Sequence, residues 1–370
     1  MFYGALLLTG ANLLLRLVSM SFQIYLSGRV GAAGIGLLQL ILSVKMLSFT
    51  VGSAGARTCA LYLSAEALGR RRSVRPALGG CIRYCLLFAL PTAAGLWALT
   101  PRIAGGWIGD AAAEPALRAC ALFLPSACLG GVMTGLYTAA GRLRTLVAVE
   151  FLEQGVSMAV TFALLSRWAC GDPARACLSV ALGSSAAGAL SLGVLWVLRR
   201  EDASQGRGDR PPWRRIFGLS LPVGLADDLR AGLSTIENLI IPRRLALHAG
   251  TVNAMADYGV LHGMVFPVLM FPAAILASLA DLLVAEFSRC ARRRGQVRVR
   301  YLARQGLRVS WLFGVCAGGA VFAAARPLGQ LLYRSEAAGA CLRLYAPLVP
   351  ILYLDIVVDA MCKGLGQQSA

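Results

Sequence analysis

The chain has 370 residues, of which 57% are hydrophobic and only 15% charged, with a mean hydropathy of +0.66. A soluble domain is nearer 25% charged, so composition excludes an ordinary soluble protein. The net charge of +18 comes from arginine, with Lys45 and Lys363 the only lysines; that surplus would suggest nucleic acid in a soluble chain, but it lies mostly in short loops between apolar runs, and no nucleic-acid partner is expected.

Ten apolar runs of bilayer length follow one another, near 5–27, 36–63, 79–100, 117–139, 146–167, 177–198, 217–241, 258–285, 304–325 and 343–364. They predict an all-α polytopic membrane protein. The first run is too long for a signal-peptide core and lacks a basic leader, so it reads as the first span. Even-numbered loops hold nineteen arginines, among them Arg70, Arg75, Arg142, Arg144 and Arg214, against ten in the odd-numbered loops. The positive-inside rule therefore places the even loops and the N-terminus in the cytoplasm. For any single loop arginine the plain role is orientation and contact with lipid headgroups.

The sixth loop, "RREDASQGRGDRPPWRR", mixes both charge signs with glycine and proline. It reads as a linker at 201–215 between an N-terminal lobe, 1–200, and a partial second lobe, 216–370. Weak internal matches support a repeat. Leu15-Arg16 and Leu229-Arg230 are each followed by an arginine thirteen residues beyond the first, at Arg29 and Arg243. Pro125 precedes Gly141 by sixteen residues, as Pro350 precedes Gly366. If helix seven repeats helix one, the second lobe lacks counterparts of helices five and six, and the chain is expected to stop short of a symmetrical bundle.

Several spans carry polar stripes. "LADDLRAGLSTIENLII", Leu225 to Ile241, holds Asp227, Asp228, Arg230 and Glu237. Four charges near a span centre cost on the order of 10 kcal/mol, while the Leu, Ile and Val residues return about 5. The charges must face protein or water. Asp227, Arg230, Ser234 and Glu237 step by three, four and three, which is one helical face. Helix one repeats the design with Asn12, Arg16, Ser19, Gln23 and Ser27. Helix two offers Gln39, Ser43, Thr50, Ser53 and Arg57, with Lys45 beside them, and helix five offers Glu150, Glu153, Gln154, Ser157 and Thr161. Helix ten places Lys363 one turn beyond Asp359, and Asp355 one turn before it, an arrangement that local pairing explains. Two roles compete: interhelical pairing, or the lining of a wet cavity. Arg16, Lys45, Arg57 and Arg230 exceed what local pairing requires and point to an anionic ligand, for which the arginine fork suits phosphate. Asn12, Gln23, Gln39, Glu150, Glu153, Asp227, Asp228 and Glu237 are the candidate cavity-lining and coupling residues.

The blocks "GALLLTGANLLLRLVSMSFQIYLSGRVGAAGIGLLQL", "SLPVGLADDLRAGLSTIENLIIPRRL", "YGVLHGMVFPVLMFPAAILASLADLLVAEFS" and "APLVPILYLDIVVDAMCKGLGQ" resemble the stage V sporulation protein B group. This is the polysaccharide-biosynthesis branch of the superfamily that also holds multidrug efflux (MATE) proteins. The resemblance implies two helical lobes facing a cavity, alternating access, and movement of an undecaprenyl-linked anionic glycan across a bacterial plasma membrane. It further implies partners in cell-wall or spore-envelope synthesis, and a basic lobe interface to which Arg16 and Arg57 correspond in region. Ten spans fall short of the fourteen usual for such proteins.

One alternative is ion-coupled efflux of organic cations, which the carboxylates Glu150, Glu153, Asp227 and Asp228 would suit. A remoter one is a membrane enzyme acting on lipid-linked sugars. Against it, the two histidines, His248 and His262, sit in no catalytic or phosphate-binding motif, so no enzyme and no cofactor is expected. The 11 cysteines form no C-x-x-C pair, so no metal is expected. A bridge between Cys170 and Cys177 is the one disulfide the spacing offers.

Overall fold

The structure is a computed structural model and describes residues 2–70, 73–168, 172–199, 212–248, 254–277, 279–280, 283, 287 and 296–365. Among these residues every regular element is helical. We number them α1 (Phe2–Ser53), α2 (Ala56–Gly69), α3 (Arg75–Arg102), α4 (Glu114–Ala139), α5 (Leu143–Trp168), α6 (Pro173–Leu198), α7 (Trp213–His248), α8 (Ala254–Tyr258), α9 (Phe266–Met270), α10 (Gln296–Tyr333), α11 (Glu336–Tyr345) and α12 (Val349–Leu365).

Among the described residues, seven helices are long and apolar enough to cross a membrane. The first counts twice. At 1.5 Å per residue α1 would run about 78 Å, more than two bilayer cores, and Gly31 interrupts it with φ 76 and ψ 170. No L side chain adopts that conformation readily, so glycine marks the boundary between two spans. Helix α7 is long enough but carries too many charges to pass on composition. The stretch from Ala254 continues through a π-helical turn, Gly259–Val265, into α9. With these two the ten expected spans are accounted for, and the chain is a multi-pass membrane protein.

Several boundaries differ from expectation for local reasons. The predicted second span, 36–63, breaks at Ala54 and Gly55, which take φ 43 and φ 73. The predicted third span continues past Arg102 through a π-helical turn, Ile103–Ile108, that ends at Gly109 with φ 81. The predicted last span is two helices, because Pro347 in a 3-10 turn, Ala346–Leu348, separates α11 from α12. Short polar caps start the helices: Asp172 Oδ1 accepts from Ala174 N–H at 3.0 Å before α6, and Ser335 Oγ accepts from Ala338 N–H at 3.2 Å before α11.

The helices pack in two compact units. Val30–Tyr258 contains the second arm of α1 and α2 to α8. There α4 packs against α2, α3 and α6, and α5 against α6. Its core includes Cys59, Tyr84, Leu124, Val132, Tyr137 and Ile216. Tyr84 donates to the Ala54 carbonyl at 3.0 Å, which satisfies an acceptor freed by the break. The other unit joins Met1–Arg29 to Gly259–Ala370. Leu283, Phe287, Val357 and Met361 form a core there, and Tyr353 bridges helices by donating to the Leu269 carbonyl at 2.8 Å while Ser310 donates to its own carbonyl at 2.9 Å.

Cys81 and Cys85 are fully buried, free and serve as small packing residues. Cys177 is a buried free thiol and donates to the Gly34 carbonyl; its suggested partner, Cys170, lies outside the described residues.

Candidate functional site

Within the unit Val30–Tyr258 the polar stripes of α1, α2, α5, α6 and α7 meet one another. Lys45 Nζ donates to Ser184 Oγ of α6 at 2.8 Å. Ser43 joins α1 to α7: its Oγ accepts from Asn238 Nδ2 at 3.0 Å, and its carbonyl accepts from Thr235 Oγ1 at 3.3 Å. Glu153 Oε2 accepts from Ser191 Oγ at 2.8 Å. Glu150 has Arg57 and Glu153 as its charged neighbours. Gln39 is half-buried on the same arm of α1 as Lys45.

The break at Ala54–Gly55 positions Arg57. It starts α2 at a new angle and sets Arg57 one residue into that helix, against α4. The approach is close: a methyl at Gly135 would overlap the Arg57 carbonyl and lie 3.2 Å from Leu61 N. On the other side, a methyl at Gly55 would overlap the Ser220 carbonyl, and one at Gly224 would come 2.7 Å from the Ala54 carbonyl carbon. Two small residues thus let α7 cross the broken span at backbone contact.

Helix α7 presents its charges unevenly. Asp227, Arg230 and Glu237 are exposed, while Asp228 is half-buried and its Oδ1 is fully buried with no donor. In the unit that holds the chain start, Gln23 Nε2 donates to the Gly263 carbonyl at 2.9 Å, and the Arg16 charge reaches the Tyr353 hydroxyl. Arg16 is exposed. The side chains of Asn12 and Lys363, with Asp281 and Glu286, lie outside the described residues.

Among the described residues, ion pairs join Arg70 and Arg215 to Glu66, Arg118 to Glu114, and Arg175 to Asp172, at helix ends. Among the described residues, none of Arg16, Lys45, Arg57 and Arg230 takes part in an ion pair. Arg230 forms no ion pair with Asp227 or Asp228 of its own helix. The residues that the stripes did not single out are Ser184 and Ser191 of α6. They stand seven apart on one helical face, within a run of small residues that carried no charge to draw attention.

No family model matches the sequence. The chain is 21% identical to stage V sporulation protein B of Bacillus subtilis over 99% of its own length and 73% of the relative's. Its fold is similar to an inward-facing multidrug resistance MATE family transporter of the MOP superfamily, with a TM-score of 0.77 and 16% identity over 95% of this chain and 81% of that one. It is also similar to a MOP superfamily transporter from Pyrococcus furiosus, described as having a binding pocket of reverse polarity. There the TM-score is 0.68 at 15% identity, over 98% of this chain and 82% of that one. The resemblance carried by the four sequence blocks thus extends along the whole chain, and the fold is that of MATE transporters of the MOP superfamily.

Proposed function

We propose that this chain is a membrane transporter, not an enzyme, and that it moves a phosphate-bearing, lipid-linked glycan between leaflets by alternating access. One observation carries the choice of an anionic substrate: Arg16, Arg57 and Arg230 lie on membrane spans, are exposed and, among the described residues, take part in no ion pair, although Glu150 is a charged neighbour of Arg57. A guanidinium against acyl chains costs at least about 2.5 kcal/mol. An exposed, unpaired one is stable beside water, and there it attracts the opposite charge. Phosphate matches its paired donors. The likeness to a sporulation protein suggests a precursor of cell wall or spore cortex as cargo, the bacterial plasma membrane as location, and proteins of envelope synthesis as partners. The N-terminus is then cytoplasmic, and 1–200 and 216–370 act as lobes joined through 201–215.

Purified chain reconstituted in vesicles with a fluorescent undecaprenyl-pyrophosphate-linked sugar tests this. Transfer between leaflets is expected to fall at least tenfold in R16Q/R57Q/R230Q. Transfer at the unmodified rate with all three removed would end the proposal.

Export of organic cations by the same fold is the second reading, and Asp228 favours it, since a buried carboxylate oxygen without a donor suits a proton or a cation. Accumulation of an organic cation driven by an ion gradient, with no transfer of the glycan lipid, would select it.

A further inference from the structure

At the membrane face that bears the arginine-rich loops, the ends of α2, α3, α4 and α6 enclose a pocket. Its volume is about 480 Å³, the scale of a small-ligand site. Leu78 and Leu136 line it with apolar surface, and Tyr137 closes it by donating from its hydroxyl to the Leu195 carbonyl at 3.0 Å. Arg75, Arg142 and Arg199 line the same space, with no acidic residue among the described lining residues.

Two of these arginines lie close enough for their charges to act on each other. Arg199 follows α6 and suits the negative end of that helix. It is half-buried, and its guanidinium lies 4.8 Å from the centre of the Trp196 ring. Arg75 is the first residue of α3, the positive end of a 28-residue helix whose N-terminus no side chain caps. A cation there opposes the helix dipole. Burial, and next the positive charge of Arg75, push the Arg199 guanidinium below its ordinary value. Neither arginine takes part in an ion pair among the described residues. Like charges, a helix N-terminus and the Ser73 hydroxyl therefore converge in this pocket, and among the described residues no carboxylate pairs with Arg75 or Arg199.

We propose that this pocket binds a phosphate group, clamped between Arg75 and Arg199 at the start of α3, with apolar walls that accept the carbon skeleton of a lipid headgroup. The bound anion relieves the repulsion between the arginines and completes the donors of the helix start. The site is distinct from the proposed substrate site: it belongs to the ends of α2, α3, α4 and α6, and none of Arg16, Arg57 and Arg230 lines it.

The test titrates phosphatidylglycerol, phosphatidylcholine or inorganic phosphate into the purified full chain in a non-ionic detergent and follows the thermal unfolding midpoint by tryptophan fluorescence. Phosphatidylglycerol is expected to raise the midpoint saturably, and phosphatidylcholine to leave it unchanged. R75Q/R199Q is expected to need about tenfold more phosphatidylglycerol for the same rise. R144Q/R214Q, with the same loss of charge at exposed positions of the same membrane face, is expected to respond like the unmodified chain. A rise with inorganic phosphate that R75Q/R199Q also weakens identifies free phosphate as the source; a rise with the lipid alone identifies the headgroup. R75Q alone, altered at an exposed position, keeps the comparison if the double variant does not fold. Without anion, R75Q is expected to match or exceed the unmodified midpoint, because it removes a cation from a positive helix end. An equal lipid response in R75Q/R199Q, or an equal loss in R144Q/R214Q, would overturn the proposal.

Discussion

Asp228 on α7 and Glu153 on α5 carry the same group within one unit, and the difference between them is informative. Glu153 receives a hydroxyl donor from Ser191, so its carboxylate is compensated. Asp228 Oδ1 receives none. A buried polar atom left without a partner costs about 1–3 kcal/mol, a burden that among the described carboxylates falls on Asp228. D228N is therefore expected to leave the thermal midpoint of the purified chain unchanged or raised. Ion-driven transport in vesicles is expected to fall about tenfold if Asp228 exchanges a proton or cation during the cycle. A lower midpoint with transport intact would make Asp228 an ordinary structural residue.

At the scale of elements, the break in the second span does more than shorten a helix. Gly55 holds φ 73 and touches the backbone of Ser220 and Gly224. Alanine there meets both a left-handed conformation and an overlap. The sum is expected to cost about 2–4 kcal/mol, read as a fall of several degrees in the midpoint. Gly130→Ala is the comparison, because a methyl there meets nothing within 4 Å. It is expected to leave the midpoint within about a degree. Gly135→Ala, which would displace the backbone of Arg57, is expected to lower glycan-lipid transfer more than its effect on the midpoint explains. Equal midpoints for the Gly55 and Gly130 variants would show that the crossing of α7 is not as close as the backbone contact implies. The helical stripes were legible at this scale because their period is set by residue spacing. Their partners were not. Ser43 with Asn238, and Lys45 with Ser184, stand 195 and 139 residues apart, and no local pattern records which helix a stripe will meet. The break at Gly31 falls in the expected loop between the first two spans, 5–27 and 36–63. The break at Gly55 was not legible, because the apolar run continues through it and hydropathy does not register backbone conformation.

For the molecule as a whole, orientation follows from the loop arginines. Reporter fusions at 140–142 and at 199–201 are expected to report the cytoplasm, and fusions near 110 and 172 the outside. The opposite pattern would invert the membrane topology and place the phosphate pocket on the outer face.

The sequence by itself determined that the chain is an all-α membrane protein of about ten spans, because transfer of apolar runs into a bilayer is a sum over residues in order. It also determined which faces carry charge and which relatives the chain resembles, since both are written in residue identity and spacing. Only the tertiary structure decided which charges are compensated. It gives Glu153 a donor, leaves Asp228 Oδ1 without one, and, among the described residues, leaves Arg16, Arg57 and Arg230 outside any ion pair. It also brings Arg75 to Arg199, 124 positions apart in the chain. Whether a charge is satisfied depends on neighbours within a few ångströms, and those neighbours come from helices remote in sequence.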